Sequence, residues 1–381
     1  MKRTPYTPPL RGPDGEVLPG SIAEARYIKL GGVEQWVLIR GERATNPPLI
    51  FLHGGPGMSE AGFFRYYNAP LEKCFCCVNW DQRGAGKSFH PSLPRSSMTI
   101  QRFIDDLDEL VDEVCRRLGQ DKVVLFGHSW GSVLGVLYAA HHPEKVSAYV
   151  GSGQVSDWLA GETGSYAFAL AEAERQGNKR ARRELAALGP PPHTPEKLWI
   201  QRNWLARLEG GMSLRSMARM LRMILSVPES SLFEVPRVFR ALRWSIEAMW
   251  GEVSRLNLFE AAPSLEVPVF LFLGRHDHWV PAETSAAYFD ALAAPSKKLV
   301  WFEHSGHEPF VDEPEKLNAA MVDYVLPIAR GAAGLEPRSS PRVASAREGG
   351  HGFALGAGDE DDELVGGQVA HLAGLDYEAG R

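Results

Sequence analysis

The chain has 381 residues, is 44% hydrophobic and 23% charged, and carries a formal net charge of −6. That length exceeds one small core, so a core domain with a large insertion or a second unit is expected. The balance gives no basic footprint for nucleic acid, and no run reaches the roughly 18 apolar residues of a membrane span.

The opening MKRTPYTPPLRGPDG has a basic pair with no apolar stretch behind it, so no signal peptide is read. A soluble, cytoplasmic protein is expected, without a membrane partner. Residues 1–25 are rich in Pro and Gly and read as an irregular arm. RYIKLGGVEQWVLIRG then reads as two strands around Gly31-Gly32. Leu49–Leu52 is a short apolar strand running into glycines, and Phe75–Trp80 is another. Cys74, Cys76 and Cys77 lie inside the apolar run CFCCVNW, which reads as a buried strand, and Cys115 stands apart. None has the spacing of a zinc site or a disulfide framework, so buried free thiols are expected.

IQRFIDDLDELVDEVCRRLG places Phe103, Leu107, Leu110, Val111, Val114 and Leu118 on one helical face and closes at Gly119. KVVLFGHS is an apolar strand, SVLGVLYAAHHP a helix stopped by Pro143, and Val146–Val150 the next strand. From 153 to 262 the rhythm breaks into helix-like text holding five of the ten Trp and five of the nine Met. Strand patterning resumes at 268–274, then a helix near 282–293, the strand KLVWFE and a last helix near 314–325. The fold class is therefore α/β, a mainly parallel sheet flanked by helices, with a core over 26–152 and 263–330. Residues 153–262 are expected to form a helical cap over the sheet edge. Residues 331–381 hold 11 Gly and 9 acidic residues against 4 Arg, and are expected to be disordered.

GHSWG, Gly127–Gly131, fits G-x-S-x-G, and five letters alone prove little. Its placement is what counts: it follows a strand and opens a helix, as a nucleophile elbow requires. A serine hydroxyl needs a base, and the base an orienting carboxylate, both later in the chain for this order of elements. Asp277 in LGRHDHWVP and His307 in EHSGHEPF each lie just past a strand, one helix and one strand apart. His276 and His304 are the near competitors. HGGPG, His53–Gly57, offers unhindered N–H groups for an oxyanion hole; Gly55 is favoured, with the N–H of Trp130 as second donor.

HGGPG, DQRGAGKS, GHSWGS, GRHD and SGHEPF, in this order and spacing, resemble the α/β-hydrolase fold and specifically the proline iminopeptidase (prolyl aminopeptidase) family, over roughly residues 25–330. The resemblance implies Ser129, Asp277 and His307 as triad, Gly55 and Trp130 as oxyanion hole, and a structural role for Asp81, Arg83 and Gly84. It implies no metal and no cofactor. Prolyl aminopeptidases of this kind bind the substrate ammonium with lid carboxylates, commonly in a Trp-x-x-Trp-Glu context. Here LWIQRNWLARLEGG has no Glu directly after Trp204, and Glu209, Glu247 and Glu252 are the candidates. The 12 acidic and 15 basic residues of 153–262 do not favour a cationic ligand. The expected activity is acyl-enzyme hydrolysis releasing N-terminal proline, or a similar residue, from small peptides. The alternatives are cleavage of an ester, lactone, amide or carbon–carbon bond in a small hydrophobic molecule, and a pocket that binds without turnover.

Overall fold

A computed structural model describes residues 6–210 and 214–331. The expected tail lies outside the described residues save Gly331. Strands β1 (Ile22–Leu30) and β2 (Val33–Gly41) form the hairpin, followed by β3 (Pro48–Leu52), β4 (Cys76–Trp80), β5 (Val123–His128) and β6 (Val146–Ser152). The sheet is completed by β7 (Val269–Gly274) and β8 (Lys297–Phe302). Helices α1 (Ala61–Tyr67), α2 (Ile100–Leu118) and α3 (Trp130–His141) belong to the first half. Between β6 and β7 come α4 (Trp158–Arg175), α5 (Lys179–Leu188), α6 (Pro195–Leu208), α7 (Leu214–Ser226), α8 (Val235–Val253) and α9 (Leu258–Ala261). After β7 come α10 (Ala282–Ala291) and, past β8, α11 (Pro309–Asp312), α12 (Pro314–Ala320) and α13 (Leu326–Ala329).

One eight-stranded sheet runs in the order β1-β2-β4-β3-β5-β6-β7-β8. β2 pairs antiparallel with β1 and β4, and every other pair is parallel. The central strands are predominantly apolar because both faces are covered. Their side chains divide by the period of two. Val123, Leu125 and Leu271 pack with Leu107 and Leu110 of α2 and Val133 of α3 on one face. Val124, Phe126 and Phe270 pack with Phe64 of α1, Phe310 of α11 and Leu317 of α12 on the other. The Thr99 hydroxyl caps α2 by accepting the Arg102 N–H at 3.2 Å, and Gly119, at φ 63°, ends it.

The hairpin begins earlier than its apolar pattern suggested. Ile22 already pairs with Gly41, because β2 offers backbone partners along its whole length. The arm before it is pinned too: Thr7 is buried and bonded to Arg40 and Glu229. All four cysteines are free, but only Cys76 and Cys77 are buried; Cys74 and Cys115 are half-buried. Burial pushes the Cys76 thiol up to about 12 and holds Cys77 well above its ordinary range, which keeps both unreactive.

The DQRGAGKS loop after β4 is a structural hub. Arg83 makes a two-point ion pair with Asp106 of α2 at 2.8 and 3.0 Å, both groups buried. The Asp81 carboxylate accepts the Lys87 N–H at 2.7 Å, which holds the turn closed.

Candidate active site

Four loops leave the carboxyl ends of parallel strands and meet at one rim, the usual place for a site in such sheets. They follow β3 (His53–Gly57), β5 (Ser129), β7 (Asp277) and β8 (His307).

Ser129 sits at φ 52°, ψ −120°, and among the described residues it alone, glycines aside, has a positive φ. Such a backbone costs on the order of 1–3 kcal/mol and persists only where its surroundings impose it. The glycines on either side show how. A Cβ on Gly131 would lie 1.9 Å from the Leu52 carbonyl oxygen, and one on Gly127 2.4 Å from that of Gly131. The Ser129 N–H donates to the Ser152 carbonyl at 3.0 Å, tying the elbow to the end of β6.

His307 Nδ1 meets Asp277 Oδ2 at 2.8 Å. The other oxygen of Asp277 accepts the N–H groups of Trp279 and Val280 at 3.0 and 2.9 Å, so the carboxylate cannot rotate away. An acceptor-only carboxylate puts the imidazole proton on Nδ1 and leaves Nε2 as the basic nitrogen. The ring rests on Gly153, at φ 54°, where an added Cβ would fall 2.7 Å from its Cε1 and 2.9 Å from its Nδ1. Gly153→Ala should therefore displace the imidazole and lower kcat about 10- to 100-fold. Steady-state kinetics checks this, and an unchanged kcat would mean the ring has room to move.

The Gly54 N–H is engaged by Glu60 Oε2 at 3.0 Å, whereas the N–H groups of Gly55 and Trp130 have no partner among the described residues. Gln82 joins these loops. Its side chain donates to the His53 carbonyl and accepts the Trp130 indole N–H, each at 3.0 Å, and its backbone N–H meets His53 Nε2 at 3.0 Å.

Behind the elbow lies a buried pair that the sequence did not announce. Glu60 faces His128 Nδ1 at 2.9 Å, and His128 Nε2 donates to the His307 carbonyl at 3.0 Å. Burial alone would raise Glu60, but the His128 charge and hydrogen bond outweigh it and hold the carboxyl below its ordinary range. Burial likewise opposes a charge on His128, and the Glu60 charge overrides that and raises it. The pair links the loop after β3 to the loop carrying His307.

Gly55, Ser129 and His307 line one cavity of about 880 Å³, counted to its open mouth, with Asp277 just behind. Trp158, Trp199, Leu242 and Ile246 of the inserted helices form its apolar side. Among the described residues, Glu60, Asp157, Glu162 and Glu308 supply four carboxyl groups, with Arg202 and His128 opposite them. His276 and His304 are exposed and stand outside it.

The three insertion glutamates singled out from sequence do not line the cavity. Glu247 binds Arg95 and Arg243 at 3.3 and 3.1 Å, and Glu252 accepts the Ile100 N–H at the start of α2 at 2.8 Å. Both sit on the side of α8 turned toward α2 and solvent. Glu209 comes nearer, accepting the Trp279 indole N–H at 2.8 Å, one side chain removed from the lining. Burial raises its carboxyl to about 8, helped by Asp277. A carboxyl raised in the folded state costs stability as pH climbs from its ordinary value toward that raised one. Glu209→Gln keeps an acceptor for the indole, so it should raise the melting temperature more at pH 9 than at pH 5. A melting-temperature difference that does not change with pH would contradict this.

This strand order, with a strained serine between the fifth strand and its helix, is that of the α/β hydrolases. Residues 47–314 match the family described as alpha/beta hydrolase fold, and the chain belongs to that family. Within it the chain is 33% identical over 298 residues to a protein of Bacillus subtilis named probable aminopeptidase YbaC, covering 77% of this chain and 93% of that one. It is 24% identical over 298 residues to the proline iminopeptidase of Heyndrickxia coagulans, covering 74% and 92%. Among solved structures, a proline iminopeptidase-related protein from Thermus thermophilus superposes with a TM-score of 0.58 at 19% identity, over 81% of this chain and 98% of that one. That last likeness concerns the fold alone. No helix among the described residues is long and apolar enough to cross a membrane.

Proposed function

We propose that the protein is a serine hydrolase that releases the N-terminal residue, proline or a similar one, from short peptides. Ser129 attacks the carbonyl carbon while His307 Nε2 takes its proton, and Asp277 holds the Nδ1 proton and stabilises the imidazolium. The N–H groups of Gly55 and Trp130 receive the developing oxyanion, each contributing about 10²–10³ in rate. His307 returns its proton to the leaving amine, then activates the water that cleaves the acyl-enzyme. The carrying observation is that a strained Ser129 and a His307 bonded to Asp277 open into the same cavity.

The peptidase half of the reading draws on relatives named aminopeptidases and on the charge of the lining. Counted over the whole insertion, charge argued against a cation. In the lining Glu60 is paired with His128 and Glu162 with Arg202, which leaves Asp157 and Glu308 as the acidic groups a substrate cation would meet. A panel of aminoacyl-β-naphthylamides and short acyl esters tests this, with prolyl-β-naphthylamide expected among the best substrates. Cleavage confined to esters would remove the peptidase reading and favour small apolar esters, which the tryptophan-bearing wall also accommodates.

A further inference from the structure

We infer that Glu308, next to His307 in the loop after β8, is the carboxylate that receives the substrate's free ammonium group, an assignment resting on the aminopeptidase reading above. Four carboxyl groups line the cavity, and three have protein partners. Glu60 is held by His128 and the Gly54 N–H. Glu162 is held by Arg202 and by the Gln201 amide at 3.0 Å. Asp157 caps α4 through the Ala160 N–H at 2.9 Å and meets Asn257 at 3.3 Å.

Glu308 is only 2% exposed, and its Oε2 has no hydrogen-bond partner among the described residues. Buried polar atoms in folded proteins are nearly always satisfied, so an orphaned carboxyl oxygen on a residue that lines the cavity leaves room for a donor from the ligand. Its backbone is fixed: the Glu308 carbonyl accepts the Val311 and Asp312 N–H groups at 2.8 and 3.0 Å, starting α11. The chemistry of the substrate fits this position. In an α-aminoacyl group the ammonium is two bonds from the carbonyl carbon that Ser129 attacks, so its partner must stand beside the triad rather than far out among the inserted helices. Burial, with Glu60, Asp312 and Asp277 nearby, pushes the Glu308 carboxyl well above its ordinary range. An ammonium arriving beside it would offset that burial and favour the carboxylate. The role thus falls to a loop of the sheet core instead of Glu209, Glu247 or Glu252.

The test uses the full chain and two pairs of isosteric probes. The first pair is prolyl-β-naphthylamide and cyclopentanecarbonyl-β-naphthylamide, which lacks the amine. The second is pyrrolidine, cationic at pH 7, and neutral tetrahydrofuran, as inhibitors of 4-nitrophenyl acetate hydrolysis. Glu308→Gln should lower the preference for the prolyl over the amine-free amide about 10- to 100-fold, mainly through KM, as expected for one charge-assisted hydrogen bond. Glu308→Asp should recover part of it, and the preference for pyrrolidine should vanish in Glu308→Gln. An unchanged preference, or equal losses on both amides, would overturn the assignment. Should the wild type cleave only esters yet bind pyrrolidine through Glu308, the peptidase reading fails and the cation site stands. Should the wild type bind pyrrolidine no better than tetrahydrofuran, the cation site fails whatever the substrate.

Discussion

Ser129→Ala should lower turnover of any substrate by about 10⁴- to 10⁶-fold, the range seen when a triad nucleophile is removed. The melting temperature should stay close to that of the wild type, because no bond of the Ser129 hydroxyl ties one element to another among the described residues. The elbow is held by its backbone, through the Ser152 carbonyl and the flanking glycines. His307→Ala should cost a similar factor, and the double variant no more than either alone, as expected of a nucleophile and base that act as one unit. Asp277→Asn should fall by about 10⁴-fold, because an amide at 2.8 Å from Nδ1 favours the wrong tautomer. Turnover of Ser129→Ala within tenfold of wild type would place the nucleophile elsewhere.

Glu60→Ala should be the most destabilising single change near the site. It leaves a buried His128 without its counter-charge and the Gly54 N–H without an acceptor. Removing one member of a buried pair costs about 3–5 kcal/mol. Activity should fall as well, by about 10- to 100-fold, since the freed Gly54 adjoins Gly55 and misplaced donors are costly. The pH dependence has a definite sign. Glu60 is depressed when folded, so its contribution is present above its ordinary value of 4.5 and lost as pH falls through the depressed one. His128 is raised when folded, so its contribution is complete below 6.5 and lost as pH rises through the raised value. The melting-temperature gap between wild type and Glu60→Ala should thus be widest between these two values and narrow in alkaline solution. A gap that stays flat from pH 5 to pH 10 would show that packing, not charge, makes the pair matter.

The sheet was readable because its central strands are short apolar runs stopped by glycine, and each such run became a parallel strand. Where the ladder outlasts the apolar run, at Ile22 in β1 and Ser152 in β6, backbone pairing set the boundary and composition carried no trace of it. The elbow was legible for a steric reason: only glycine fits at 127 and 131, so a mark of the turn survives in the letters. Asp277 and His307 could be read from the order of strands, and the structure brings their side chains together.

Glu60 and His128 could not be paired in advance. They stand 68 residues apart, one in the loop after β3 and the other at the end of β5, and a single histidine within GHSWG signals nothing about its partner. Gly153 and Glu308 left faint signs, a glycine just after a strand and an acid beside a histidine, whose meaning depends on packing. The insertion was legible as helical, but which helix faces turn inward was not. Two of its five tryptophans, Trp158 and Trp199, line the cavity, while Trp204 packs among α4 and α5. The same ambiguity hid that Glu247 and Glu252 face outward and that Glu162 faces in.

The proposed chemistry turns on a Ser129 hydroxyl activated by His307. Incubating the full-length protein with a fluorophosphonate and mapping the adduct by peptide mass spectrometry tests it most directly. One phosphonylated residue, Ser129, is expected, with labelling abolished in Ser129→Ala and slowed at least a hundredfold in His307→Ala, about the size of a general-base contribution. Labelling at another serine, or labelling of Ser129 at the same rate without His307, would contradict it.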